Sequence, residues 1–567
     1  MSNDLSFNLV TDPWIKVLKK DYTESEVSLN ELFSNSEEYL QLAGDMKSQD
    51  LAILRLLLAI LLSVYTRFDA DDTPYSWLNL DDKWRVIRTD NDGKDFDKLE
   101  NTWRSLYDQK AFSKKLFDYL NLYQTKFDLF GNDPFYQVNR QVYDQNVPEN
   151  KKVAKGAGTV SVKQINRLIS ESNNSPALFS PKSGIEKDSV NNAELVRWLI
   201  TYQNFTGVTD KTKVKSKDKF SVSPGWLYSI NPVYIKGKTL FDTLMLNLSL
   251  VTNDSADGTN WLNPQRPVWE YDDINDYLQQ RLNGVYPDNL SELYTVWSRM
   301  IHIDWQNGQP VIFSAGLPKL DSEKQFLEPM TTWRKNKDGV VYPAAKNKNN
   351  INVAMWRNFG QYIRTKANED EKRIPGIVSW IQELKKEKYI SKHTNINIVT
   401  VAMISDGNAT SQSPYAEITD NMQAKAGVLF DDEPMLENRW QDRIEKEVLL
   451  TQQVANYFYW FAKDISNIQT HSEKKKSNDD WASRKVAQFY DELNQPFYTW
   501  LSGLDLSQDR DAKTKEWRET LNHFVATQAK NIFINATADE IIGGKEDNIF
   551  TIYNKLRRNV YVCLGLK

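Results

Sequence analysis

Apolar residues recur at intervals of three and four over several stretches of this chain, and each stretch predicts a helix. The first covers 48–66, where LAILRLLLAILLSVY fills residues 51–65. A second covers 97–123, with Trp103, Leu106, Phe112, Leu116 and Leu120 in step. Closer to the N-terminus, residues 6–18 alternate like an edge strand interrupted at Asp12-Pro13, and ESEVSLNELF reads as a short strand entering a helix. The segment 127–138 turns at Gly131-Asn132-Asp133-Pro134, and over 142–158 the periodicity vanishes into VYDQNVPENKKVAKGAG, the pattern of a long mobile loop.

From 176 to 435 short strands and helices mix. LVRWLITYQNF is helical, TLFDTLMLNLSLV fits helix or strand, and INIVTVAMIS at 396–405 is a β-branched buried strand. Beyond Asp431-Asp432-Glu433-Pro434 the pattern changes to amphipathic helices near 438–466, 478–502, 510–534 and 546–563. On the first of these Trp440, Ile444, Val448, Leu449, Val454, Phe458 and Trp460 make a broad apolar face. The expected fold class is α+β, with a large mixed α/β domain over 1–435 followed by a C-terminal four-helix bundle over 436–567.

With 567 residues the chain exceeds the roughly 250–300 at which single cores stop growing, so more than one core is expected. Its 26% charged and 12% aromatic residues describe a soluble globular protein. Cys563 is the single cysteine, which excludes an intrachain disulfide and a thiolate metal cage and fits a reducing, cytoplasmic setting. The 51–65 run contains Arg55 and falls short of the roughly 20 residues a bilayer requires, so a core helix and no membrane association are expected. The first residues lack the basic and apolar regions of an export signal.

Catalytic chemistry finds little support. His302, His393, His471 and His523 are scattered without metal-ligand spacing. Lys236-Gly237-Lys238-Thr239 ends like a phosphate-binding loop, but Pro232 stands where its first glycine belongs. Asp69, Asp71 and Asp72, and Asp431, Asp432 and Glu433, form two acidic knots that read as divalent-ion ligands or as solvated turns. No nucleophile elbow is present. No catalytic residue, metal or cofactor is expected.

The strongest local signal is a row of charge. Lys211, Lys213, Lys215, Lys217 and Lys219 occupy every second position. In an extended segment all five would leave one face, a pattern that suits a phosphate backbone. Against an overall net charge of -5, the same row also reads as a solvated lysine-rich loop.

Several segments taken together resemble the large subunit (CasA family) of the type I-E Cascade, an RNA-guided CRISPR surveillance complex. They are FNLVTDPWIKV at 7–17, QDLAILRLLLAIL at 49–61, FDLFGNDPFYQV at 127–138, TYQNFTGV at 201–208 followed by SPGWLYS and TLFDTLMLNL, and EPMTTWR at 328–334. The resemblance implies a non-catalytic subunit that checks the short motif beside a target in double-stranded DNA, helps open the duplex and recruits a helicase-nuclease. Its partners would be the other Cascade subunits with their CRISPR RNA. In such systems base pairing reads most of the sequence and protein reads the adjacent motif.

The resemblance also implies site residues. Gln412, flanked by Ser411 and Ser413, falls where the family carries a glutamine on a wedge hairpin; a polar Ser-Pro turn is the other reading. Gly207, with Gly184 and neighbouring Lys182 in reserve, corresponds to a glycine loop approaching the minor groove, or else to a helix C-cap. Lys319 or Lys324 corresponds to a lysine reaching that groove. Lys151, Lys152 and Lys155 charge a loop that orders on contact with nucleic acid, and the lysine row would hold phosphates beside it. Two other readings stay open: a divalent-metal nuclease using an acidic knot, and a purely structural scaffold.

Overall fold

Ser28 and Glu31 fix how the first strands pass into a helix. Ser28 Oγ accepts from Glu31 N at 3.2 Å and Glu31 Oε2 accepts from Ser28 N at 2.8 Å, a capping box that starts helix Leu29–Ser34 immediately after strand Glu24–Val27. That strand pairs antiparallel with Ile15–Lys19, which in turn pairs with Tyr39–Leu42. The structure, a computed structural model, describes residues 6–90, 95–156, 158–168, 182, 184–206, 211–251, 263–365, 372–405, 414–470, 476–534, 536–543 and 548–566. The chain separates into two units, one made of 1–351, 375–381 and 398–419, the other of 352–374, 382–397 and 420–567.

The first unit is built around helix Lys47–Tyr65, which is buried on every face from Ser48 onward. It is long and apolar enough to cross a membrane, yet it lies wholly inside the fold, as a core helix does. Arg55 in its middle has no solvent exposure; its guanidinium donates to Glu328 at 2.8 Å and sits 4.0 Å from the Tyr294 ring centroid. Glu328 opens the EPMTTWR segment, and its backbone carbonyl accepts from the buried Trp333 indole at 3.0 Å. A second buried pair lies just beyond the helix. Arg67 grips Glu270 through both carboxylate oxygens at 2.9 and 2.8 Å, while Tyr119 donates to the same carboxylate at 2.6 Å and accepts from the Trp269 indole at 2.9 Å.

Glu292 is the exception to this pairing. Burial, with Asp288 adding negative charge nearby, pushes its carboxyl up to about 7, against an ordinary value near 4.5. The folded state therefore holds a proton there that the unfolded chain has released. Stability attributable to this group is full below about pH 4.5 and declines as pH rises to 7, by about 1.4 kcal/mol for each pH unit crossed. Glu292→Gln is expected to raise the melting temperature at pH 8 and to change it little at pH 5; equal changes at both pH values would contradict this assignment.

The helix expected over 97–123 is two helices, Phe96–Gln109 and Lys114–Leu122. Lys110 adopts φ 54° between them, and Ser113 N donates to the Tyr65 hydroxyl at 2.9 Å, which fixes the break. The mobile loop expected over 142–158 is also corrected. Helix Arg140–Asn146 begins at an Asn139 cap on Val142 N, followed by helical turns Glu149–Lys151 and Val153–Lys155, and Val142, Tyr143, Val147 and Val153 are buried. The ambiguous TLFDTLMLNLSLV contains helix Leu240–Asn247, started by Thr239, whose side chain accepts from Asp242 N. INIVTVAMIS lies in strand Asn395–Ser405, central in a sheet between Val233–Lys236 and Pro414–Lys425.

In the second unit, long helices Trp440–Thr470, Lys476–Ser502, Arg510–Phe533 and Ile549–Leu564 give the C-terminal region its helical character. The first of them packs against the other three. Trp356 belongs with them because it stacks on Phe497 at 4.2 Å and donates to Asn494 at 2.8 Å. Of the apolar face expected on the first helix, Trp440, Ile444, Val448, Val454 and Phe458 are buried, but Leu449 and Trp460 are half exposed. They fall off the stripe that Thr451, Ala455, Phe461, Ala462 and Ile465 continue.

Candidate nucleic-acid interface

Strand Gln309–Gly316 organises the basic segments of the first unit. It pairs with Arg299–Gln306 through a two-residue turn, Asn307-Gly308, in which both residues have positive φ, the geometry that matches strand twist. Two separate segments dock on it. Residues 159–160 bond to Ile312 O, and Thr159 Oγ1 exchanges hydrogen bonds with Ser314, which returns the 142–160 segment to the strand. At the strand's end Gly316 N donates to Thr212 O at 2.9 Å and Gly316 O accepts from Val214 N at 3.2 Å.

This docking sets the lysine row. Thr212 and Val214 turn inward and are each 4% exposed, while Lys211, Lys213 and Lys215 point out. The period of two holds over these three. A turn at 216–218, where Asp218 N donates to Ser216 Oγ, then ends the extended run, so Lys217 and Lys219 are exposed on the loop rather than on a continuing strand. The five ammonium groups therefore do not share one straight edge, which corrects the expectation from spacing alone.

The loop closes where it began. Ser221 O accepts from Lys319 N at 2.8 Å, Val222 bridges Pro318, and Ser223 N donates to Leu317 O at 2.9 Å. A Cβ on Gly316 would come within 2.5 Å of Val222 Cγ1 and 2.6 Å of Arg299 Nη1, so only glycine lets both legs of the loop meet the strand here. Lys213 spans the loop, donating to Phe220 O at 2.7 Å with its ammonium 5.1 Å from the Phe220 ring centroid. One lysine of the row thus holds the loop's shape.

The two docked segments also meet each other. Lys215 N donates to Asn146 O at 2.7 Å and its ammonium to Gln145 O at 3.2 Å. Asp144 Oδ1 accepts from Val153 N at 2.8 Å, fastening the turn that carries Lys152 and Lys155. Glu149 lies among these cations. A hydrogen bond from Lys152 at 2.7 Å, with Lys155 and Lys215 adding positive potential, holds its carboxyl below the ordinary range. Glu149, Asp144 and Asp218 stand against Lys151, Lys152, Lys155, Lys215, Lys217 and Lys219, so cations outnumber carboxylates and the region is positive in a chain that is acidic overall.

The other residues singled out by sequence fall elsewhere. Lys319 is exposed beside Ser221 and joins the cluster, whereas Lys324 is exposed on a turn closed by its own N–H to Asp321 O. Lys182 is ion-paired to Glu194 at 2.6 Å, near the start of helix Asn192–Asn204. Gly184 begins the helical turn Gly184–Asp188. Gly207 and the trio Ser411, Gln412 and Ser413 lie outside the described residues. The strands on either side of that trio, Asn395–Ser405 and Pro414–Lys425, are neighbours in one sheet.

The acidic knots are occupied by structural work. Asp69 Oδ1 accepts from Asp71 N and Thr73 N, and Asp72 Oδ1 from Lys115 N. Asp431 caps Trp440 N at 3.0 Å and pairs with Arg510 at 2.8 Å, and Asp432 pairs with Lys385 at 2.9 Å. Among the described residues no group of three or more metal-ligating side chains comes together.

Comparison with known proteins follows the same lines. The family model described as CRISPR-associated protein Cse1 matches residues 8–528. The fold is similar to that of Cse1 from Thermobifida fusca, with TM-score 0.73 and 21% identity over 99% of this chain and 98% of that one. It is similar also to Cse1 from Acidimicrobium ferrooxidans, at 0.71 and 19% over 100% and 99%. A chain of a CRISPR RNA-guided surveillance complex gives 0.64 and 15% over 98% and 99%. No curated protein sequence matches significantly.

Proposed function

The chain belongs to the CRISPR-associated Cse1 family, and from that premise we propose that it is the non-catalytic large subunit of an RNA-guided surveillance complex. It recognises the motif adjacent to the target in double-stranded DNA, helps open the duplex and recruits a helicase-nuclease. The observation that carries this reading is the convergence of Lys151, Lys152 and Lys155 with the 211–219 loop and Lys319 on one strand. Two segments far apart in sequence build one positive surface. Lysines arranged so neutralise phosphates and orient a duplex without reading its bases.

Reading and opening are assigned to other groups. Lys319, at the margin of the cluster, is the lysine better placed to enter a minor groove from a duplex held there, and Gly207 lies just ahead of Lys211 in sequence. Gln412, which lies in sequence between strands Asn395–Ser405 and Pro414–Lys425, is the wedge. Its amide replaces a lost base hydrogen bond while its stem fills the opened step, which offsets part of an unstacking cost of about a few kcal/mol.

The test is duplex opening by the complex reconstituted with wild-type chain or Gln412→Ala, on targets with and without the correct adjacent motif. The variant is expected to lose opening on the correct motif while binding a pre-opened target normally. Unchanged opening would remove Gln412 from the mechanism and favour a scaffold.

A further inference from the structure

The central helix Lys47–Tyr65 lacks a cap of its own. Its N-cap position is Met46, whose side chain accepts nothing from the helix. Glu417 fills that role from a strand far away in sequence: its Oε1 accepts from Lys47 N at 3.1 Å and its Oε2 from Ser48 N at 2.8 Å. A carboxylate here also faces the positive end of the helix dipole. Lys47 and Asp50, paired at 2.8 Å, are the charged groups of the helix beside it.

Glu417 belongs to strand Pro414–Lys425, the edge of its sheet, with the ladder to Asn395–Ser405 on one side. The strand's residues from 414 to 421 are exposed or half-buried, so its own burial holds it weakly. Two side chains near its start are engaged: Tyr415, whose ring lies 4.6 Å from the Lys348 ammonium, and Glu417 on the helix. Four residues separate Glu417 from Gln412. A wedge pressing on a base pair transmits force only if its foot does not yield, and here an edge strand is tied to a helix buried from Ser48 onward.

We propose that Glu417 is a positioning residue for duplex opening: through the Lys47 and Ser48 N–H groups it anchors strand Pro414–Lys425, which follows Gln412 directly in sequence. This rests on the wedge reading given above. Glu417→Ala removes both the cap and the anchor. Adding Met46→Ser returns a cap from within the chain, because Met46 already has the extended backbone of an N-cap (φ −144°, ψ 153°), but it does not return the anchor.

The experiment uses the reconstituted complex and reads fluorescence of a 2-aminopurine placed in the first target base pair, together with the thermal midpoint of each chain and binding of a pre-opened target. Glu417→Ala is expected to slow opening about tenfold and to lower the midpoint. Glu417→Ala with Met46→Ser is expected to recover the midpoint while opening stays slow and pre-opened binding stays normal. Recovery of opening along with the midpoint, or unimpaired opening in Glu417→Ala, overturns the proposal. Gln412→Ala in the same assay separates the two claims: if it opens normally, the wedge reading fails and the anchor has nothing to position. If it is defective while the double variant matches wild type, only the anchor fails.

Discussion

Glu270→Ala is expected to remove a large part of the stability of the fold and to lower its urea midpoint markedly. The substitution leaves the Arg67 guanidinium buried at 1% exposure with the Gln265 carbonyl as its remaining acceptor, and deprives the Tyr119 hydroxyl of the carboxylate it donates to. Breaking one side of a buried ion pair costs about 3–5 kcal/mol. That is a large share of the roughly 5–15 kcal/mol that holds a folded protein together. The geometry argues for the upper part of that range, because the pair is doubly hydrogen-bonded and a third group shares the carboxylate. Urea titration followed by tryptophan fluorescence reads the loss, since Trp269 donates to the same Tyr119. Glu270→Gln, which keeps one acceptor, should lose less. Arg67→Met with Glu270→Leu should lie much nearer the wild type than either single truncation, since no unpaired charge remains. A Glu270→Ala chain with an unchanged urea midpoint would contradict this account.

Neutralising the lysine cluster is expected to have the largest effect on binding. With Lys151, Lys152, Lys155, Lys215, Lys217 and Lys219 changed to Gln, duplex affinity of the reconstituted complex should fall on the order of 100-fold at low salt, and the log–log salt slope should shrink by about one for each lysine that meets a phosphate. Lys213 is left in place because it shapes the loop. The loss should be the same for every adjacent motif, since phosphate contacts carry no sequence information. A loss confined to particular motifs would mean that the row reads bases. An unchanged salt slope would mean that the cluster is merely solvated.

Helices were legible where their pattern was long. The four C-terminal helices lie within a few residues of their expected limits because repeated apolar spacing over 16 to 31 residues leaves little freedom. Short helices were not. Arg140–Asn146 buries two side chains and hides in a polar stretch, although Asn139 was a usable capping signal. The break at Lys110 carries no Gly or Pro, and a tertiary bond to Tyr65 makes it. The Asn-Gly pair that turns the 299–316 hairpin is a signal the sequence carries. For the site, spacing correctly gave an exposed lysine face over 211–215, but it could not show the turn after Lys215 or the approach of the 151–155 segment. The turn comes from a bond between Asp218 N and Ser216 Oγ that lysine spacing does not encode, and the approach comes from bonds of residues 159–160 to Ile312, far later in the chain, and of Lys215 to Asn146. Gln412 and Gly207 rested on the resemblance alone, since a glutamine and a glycine have no spacing to read.

The central helix has a consequence for how the protein is made. Its cap lies 370 residues downstream at Glu417, the partner of its buried arginine 273 residues downstream at Glu328, and the Arg67 partner 203 residues downstream at Glu270. At roughly 5–20 residues per second, a ribosome needs about 20 to 70 seconds to supply the last of these after the helix emerges. During that interval a long apolar segment has neither its counter-charges nor its closing contact. Folding of the first unit is therefore governed by late arrivals rather than by the order of synthesis, and a nascent chain should hold chaperones until residue 417 has been supplied.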